Sequence, residues 1–179
     1  SWFQHVSSAR AIVNLAGDNI ASSLRWSSAK KERILSSRLE VARAVSDAVA
    51  LADEKPHVLV QASAIGYYGN RFDEELTEDS AAGEGFLADV ANQWEKAADR
   101  ISRQGVRCVM VRTGIVLGRK EGFLGRIVTP FRLYLGGHMG DGQQWISWIH
   151  IADEAAAIRF LIERDDLSGP FNFTGPQPL

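Results

Sequence analysis

Three stretches of the chain are apolar almost without interruption, and each runs into small residues at its carboxyl end. They are Ala11 to Leu15 before Ala16-Gly17, Val58 to Ala62 before Ser63-Ala64, and Val106 to Val111 before Arg112-Thr113-Gly114. A strand with one face in water alternates apolar and polar residues, whereas a strand covered on both faces does not. The stretches between them carry helical spacing instead. Ser27 and Ser28 offer N-caps for a helix to about Ala52 with Ile34, Leu35, Val41, Ala42, Val45 and Val49 on one face. Phe86 to Ser102 places Leu87, Val90, Ala91, Trp94, Ala98 and Ile101 on another, and Gly105 closes it. Strand and helix in alternation, with strands apolar throughout, define an α/β fold built on a doubly wound, mostly parallel sheet. Such a sheet binds ligands beyond the carboxyl ends of its strands. The segments of interest are therefore Ala16-Gly17, Ser63 to Gly69 and Arg112 to Gly118.

The rest of the chain extends this pattern. "VRCVMVRTGIVLG" reads as one buried strand, Leu124 to Leu135 as an amphipathic helix, "QQWISWIHIADEAAAIRFLIERDD" as an extended segment followed by a helix, and "GPFNFTG" as a last strand. The stretch "AIGYYGNRFDEELTEDSAAGEG" reads as a solvated acidic loop, and the glycine cluster from Gly136 to Gly142 follows a helix and is a loop too. His150 is expected in a core or hydrogen-bonded role where strand meets helix, and Asp153 at the start of that helix by capping or dipole interaction.

Composition removes several classes of function. The chain has 179 residues, the size of one domain, with 20 basic and 22 acidic residues and no basic block, so no nucleic-acid partner is expected. No apolar stretch approaches the roughly 18 residues of a membrane span, and no signal-peptide pattern of basic, apolar and small-residue regions is expected. The single Cys108 cannot form an internal disulfide. Together these point to a soluble protein of the reducing cytoplasm. The four histidines, at 5, 57, 138 and 150, have no metal-ligand spacing, so no metal site is expected. Neither a G-x-S-x-G elbow nor a G-x-x-x-x-G-K-[ST] phosphate loop is present.

At the strand ends, Leu15-Ala16-Gly17 lets a flat ligand reach the backbone. Ser63 could hydrogen-bond a carbonyl or alcohol, and Gly114 again permits close approach. Taken singly these also read as a strand-to-loop turn and a serine satisfying a neighbouring backbone group. In order, they become specific. "NLAG", "SAIGYYG", "RTGIVLG", "WIHIAD" and "GPFNFTG", with the flanking "RWSSAKKERILSSR", "FLGRIVTPFRLYLGG" and "WISWIHIADEAAAIRFLIE", resemble the extended or atypical branch of the short-chain dehydrogenase/reductase superfamily. The match is best to its group of NAD-dependent nucleotide-sugar epimerases, and it runs from about Ala11 to Pro178.

The resemblance implies a Rossmann-type fold binding NADP or NAD, represented here from its fourth strand onward. It implies that Leu15, Ala16 and Gly17 line the adenosine-to-pyrophosphate side, that Ser63 lies near the nicotinamide and that Thr113 to Ile115 cover the nicotinamide end. Arg38, in the "SR" of the long helix, is a further cofactor contact. A substrate, a sugar nucleotide by this resemblance, would enter over Tyr67, the Phe123–Met139 segment and Trp145. Residues 119–150 and 168–179 are then small substrate-side elements, and an oligomer is left open.

Two departures qualify the reaction. The glycine-rich turn that cradles a pyrophosphate after the first strand is absent, and so is the family's C-terminal tail, so a longer native protein and an exposed apolar sheet edge are expected. The Tyr-x-x-x-Lys proton relay of many relatives is absent as well: aligned through Glu95, its positions hold Leu87 and Ala91. A proton donor would be Tyr67, Tyr68 or a water held by Ser63. The alternative is a non-catalytic NADP(H)-binding sensor or regulatory protein on the same fold.

Overall fold

A computed structural model describes residues 2–22, 25–119, 122–138 and 140–179. In chain order its regular elements are β1 (Ala11–Asn14), α1 (Ser28–Ala50), β2 (Val58–Ala64), α2 (Phe86–Ser102), β3 (Arg107–Thr113), β4 (Ile115–Leu117), α3 (Gly122–Arg132), β5 (Trp148–His150), α4 (Ile151–Glu163) and β6 (Gly169–Phe173). One sheet holds β1-β2-β3-β6 in that order, and β4 pairs with β5 in a second. Among the described residues the named strands pair in parallel, as the continuous apolar runs require.

Successive side chains on a strand point to opposite faces, and each face of the main sheet has its own core. On one face Leu59 and Cys108 pack with Val45, Ala48 and Val49 of α1 and with Ala98 and Ile101 of α2. On the other, Val58, Val60, Val109, Val111 and Phe173 pack with Leu161, Ala157 and Ile158 of α4. The helix starts follow their caps. Ser27 accepts a hydrogen bond from the Lys30 N–H at the start of α1, and His150 Nδ1 accepts from the Ala152 N–H at the start of α4. His150 is thus a hydrogen-bonded cap, with Asp153 exposed in the first turn behind it.

Four elements differ from their sequence reading, each for a physical reason. The run Ala11 to Leu15 ends as a strand at Asn14 and is not buried throughout: Val13 is 40 % and Leu15 59 % exposed. Among the described residues β1 pairs only with β2, so it lies at an edge. The run from Val106 to Gly118 is two strands in two sheets. Gly114 is the break: its N–H donates to Phe173 O, and a Cβ there would stand 2.8 Å from the Ser147 carbonyl oxygen. The Gly114→Ala variant should therefore lose about 1–3 kcal/mol through overpacking, read as a lower denaturation midpoint at unchanged slope. The third helix stops at Arg132, not Leu135. Pro130 lies inside it, and Tyr134 turns left-handed at φ 58° just beyond its end. Leu87, placed on the buried face of α2, is exposed beside Gly66.

Candidate active site

The carboxyl ends of β2, β3 and β6 lie side by side, and a buried polar network fills the space between them. Arg112 enters it from β3 at 3 % exposure, and Glu95 from the third turn of α2 at 8 %. The two form a bidentate pair, Nε to Oε1 and Nη2 to Oε2, both at 2.9 Å. This fork-to-fork geometry fixes orientation as well as charge. Ser63 donates its hydroxyl proton to Glu95 Oε1 at 2.6 Å. Arg112 Nη1 donates to the Tyr68 hydroxyl at 2.9 Å and to the Glu78 carbonyl at 3.0 Å. Tyr68 passes its own proton to Asn172 Oδ1 at 2.6 Å, and the Asn172 N–H donates to Glu78 Oε1 at 2.8 Å. Burial opposes the Arg112 charge, but the hydrogen bonds it donates to Glu95 and Tyr68 and the Glu95 charge outweigh it, so its pKa is raised and it stays a cation.

Tyr67 is what this network presents. It sits in the 3₁₀ turn Ile65–Tyr68 that follows β2, half-buried, with the Arg112 guanidinium 3.6 Å from its ring centroid and the Tyr68 ring edge-on at 5.3 Å. A guanidinium over an aromatic face is held electrostatically, so the ring is clamped while its hydroxyl has no hydrogen-bond partner among the described residues. The chain returns to this turn at Gly83, whose N–H donates to the Tyr67 carbonyl. A Cβ at Gly83 would run into the Tyr68 carbonyl oxygen, so only glycine allows that approach.

The other expected site residues fall around this centre. Leu15, Ala16 and Gly17 are all exposed at the end of β1. Arg38 reaches from α1 to lie directly beneath Gly17, its Nη1 donating to the Asp18 and Ile34 carbonyls and its guanidinium over the Trp94 ring at 4.8 Å. Burial lowers the Arg38 pKa, with Asp18 opposing. The loop after β1 is tied down by Lys30, whose ammonium donates to Asp18 Oδ2, the Asn19 carbonyl and Ser22 Oγ. The hydrogen bond from Lys30 in turn holds the Asp18 carboxyl below its usual range.

Ser63 and Thr113 end adjacent strands but turn to opposite faces, Ser63 to Glu95 on α2 and Thr113 to Glu154 on α4. Ile115 is half-buried in β4, with its N–H bonded to the Ser147 carbonyl. Trp145, 58 % exposed, donates from Nε1 to Asp73 at 2.8 Å, which links its segment to the acidic loop behind Tyr68. Of the Phe123–Met139 segment, Met139 lies outside the described residues. Sequence reasoning passed over Glu95, Arg112, Asn172 and Glu154. Two of them carried a signal: a glutamate on the apolar face of α2, between Ala91 and Ala98, and an arginine inside a continuous apolar strand.

Residues 1–173 match the model of the NAD dependent epimerase/dehydratase family. Epimerase family protein YfhF of Bacillus subtilis is 43 % identical over 168 residues, covering 93 % of this chain and 54 % of that protein. The chain thus spans about half the length of this curated relative. The crystal structure of the human epimerase family protein SDR39U1 with NADPH superposes with a TM-score of 0.86 at 34 % identity, covering 98 % of this chain and 61 % of that one. The nucleoside-diphosphate sugar epimerase from Corynebacterium glutamicum gives a TM-score of 0.85 at 35 % identity, covering 99 % of this chain and 37 % of that one. The Rossmann-type sheet and the motifs read at its strand ends thus have one common explanation: the chain belongs to the NAD dependent epimerase/dehydratase family.

Proposed function

We propose that this chain supplies the nicotinamide and substrate side of an NAD(P)-dependent oxidoreductase or epimerase acting on a sugar nucleotide. The observation that carries the reading is the Tyr67 phenol, without a hydrogen-bond partner among the described residues and with its ring clamped on the Arg112 guanidinium at the carboxyl ends of a parallel sheet. A ligand bound at that end of the sheet meets this hydroxyl, as strand-end sites of α/β folds do.

A nicotinamide dinucleotide suits the residues present. The exposed Leu15-Ala16-Gly17 shelf offers little side chain beyond Leu15, and Arg38 lies under it with only Nη1 engaged by the backbone. In this reading the shelf and Arg38 hold the adenosine-to-pyrophosphate side, and Ser63, Thr113 and Ile115 border the nicotinamide. NADPH is the form present in the human SDR39U1 structure. Bound there, the dinucleotide supplies the hydride chemistry. The chain's own residues orient, exclude water and move a proton. Tyr67 exchanges that proton at its phenol oxygen with a substrate hydroxyl or carbonyl. Arg112 fixes the ring and meets the negative charge that develops as the proton leaves. Ser63, its proton committed to Glu95, offers lone pairs only. Trp145 and the residues around 119–150 and 168–179 border the substrate.

The buried Cys108, its thiol pushed up to about 11 by desolvation and by Asp99, suits a cytoplasmic setting where thiols stay reduced. No helix among the described residues is long and apolar enough to cross a membrane.

Calorimetry with NADPH and NADH, on full-length protein that carries the glycine-rich segment, tests the reading. A single saturable site is expected, weakened by Arg38→Ala, and no binding of either dinucleotide would reject it. The non-catalytic sensor keeps a specific observation in its favour, since Leu87 and Ala91 occupy the relay positions on α2. Turnover of any sugar nucleotide or small carbonyl, followed by reduced-cofactor absorbance and lost in Tyr67→Phe, decides against it.

A further inference from the structure

Thr113 closes a second polar pair, on the face of the sheet opposite Arg112. Its hydroxyl donates to Glu154 Oε1 at 2.9 Å, and Glu154 is 8 % exposed in the first turns of α4. The other carboxyl oxygen, Oε2, is shut off from solvent and has no hydrogen-bond partner among the described residues. Among the described residues no cation is paired with it. β2, β4 and β6 carry no titratable side chain. On β3, Arg112 is turned to Glu95 and Arg107 is bound to the Leu161 and Leu167 carbonyls. On β5, His150 uses Nδ1 to cap α4. On α4 itself Asp153 is exposed and Arg159 pairs with Glu163. A buried carboxylate without a counter-charge is costly, and burial raises the Glu154 pKa while the Thr113 hydrogen bond opposes the rise.

We propose that Glu154 is a positioning residue for the cofactor end of the site: acting through Thr113, its carboxyl sets whether the Thr113 hydroxyl presents a lone pair or a proton to the ligand over the end of β3. This rests on the reading that Thr113 borders the nicotinamide. A hydroxyl has one proton and two acceptor lone pairs. When Glu154 is ionised it takes that proton, and Thr113 faces the ligand as an acceptor suited to an amide N–H. When Glu154 is protonated towards Thr113 the donation reverses, and the freed Thr113 proton suits a carbonyl. The pair therefore makes ligand preference a function of Glu154 protonation, which neither residue achieves alone.

Two measurements test this, one without ligand. In carbon-13 NMR of the glutamate carboxyls, with Glu154 assigned through Glu154→Gln, Glu154 should titrate above the usual glutamate range. In Thr113→Val it should titrate higher still, because the hydrogen bond that favours the carboxylate is gone. An unmoved Glu154 titration overturns the proposal. In calorimetry with NADPH across that pH range, the parent affinity should change about tenfold, the worth of one exchanged hydrogen bond. Thr113→Val and Glu154→Gln should both be flat. A flat parent profile, or a pH dependence surviving in Thr113→Val, overturns the proposal as well. No NADPH binding at any pH, with Glu154 still responding to Thr113→Val, refutes the dinucleotide reading while the coupling of the pair stands.

Discussion

Glu95→Ala should unfold roughly 10 °C below the parent, corresponding to a loss of about 3–5 kcal/mol. The size follows from what the substitution leaves behind. Arg112, at 3 % exposure, keeps its charge and loses both arms of a bidentate carboxylate, while Ser63 loses the acceptor of its hydroxyl proton. Removing one member of a buried ion pair strands the other, whereas replacing both by apolar residues of similar size does not. The double variant Glu95→Met with Arg112→Met should therefore be more stable than Glu95→Ala alone. Differential scanning calorimetry of the two variants decides the matter. A Glu95→Ala midpoint within about 2 °C of the parent would mean that water reaches Arg112 freely, and the clamp on Tyr67 would lose its basis.

Tyr67→Phe has the largest expected effect on activity. If its phenol exchanges the proton as proposed, losing that general acid–base group costs about 10²–10⁴-fold in rate. Because the Tyr67 ring, and not its hydroxyl, packs on Arg112, the variant should keep the parent's melting temperature and its NADPH affinity. Tyr68→Phe is the contrast. Its hydroxyl accepts from Arg112 and donates to Asn172, so its loss should lower stability by about 1–3 kcal/mol through unpaired buried partners. Steady-state rates for both variants on any substrate turned over by the parent separate the two tyrosines. A Tyr67→Phe rate within tenfold of the parent would take the phenol out of the proton transfer.

The elements that the chain announced were those whose signal is local. Val58–Ala64 and Arg107–Thr113 are apolar at consecutive positions because helices cover both their faces, and α1 begins where the Ser27 side chain caps it. The errors came where a neighbour decides. Val13 and Leu15 look like core residues, and only the absence of a second pairing partner for β1 among the described residues exposes them. The division at Gly114 depends on the approach of Ser147, a contact no local pattern contains. The same distinction governs the site. Ser63, Tyr67 and Thr113 were named from the sequence because they sit at or just beyond strand ends. Glu95 and Arg112 are 17 residues apart, and although each stands out as a charge in apolar surroundings, no local pattern shows that they pair. Glu154 hides in the same way, since its partner Thr113 lies 41 residues earlier.

One nitrogen of Arg112 holds two points of the same excursion of the chain, the Tyr68 hydroxyl and the Glu78 carbonyl. Residues 70–77 leave and return at a single fixed post, so their number is decoupled from the geometry of the turn that carries Tyr67. Lengthening such a tethered excursion is cheap, about 0.6 kcal/mol for each doubling of its length. Insertions there would reshape what approaches the phenol without moving the phenol itself. The segment is thus where the chain can change length at little risk to its fold.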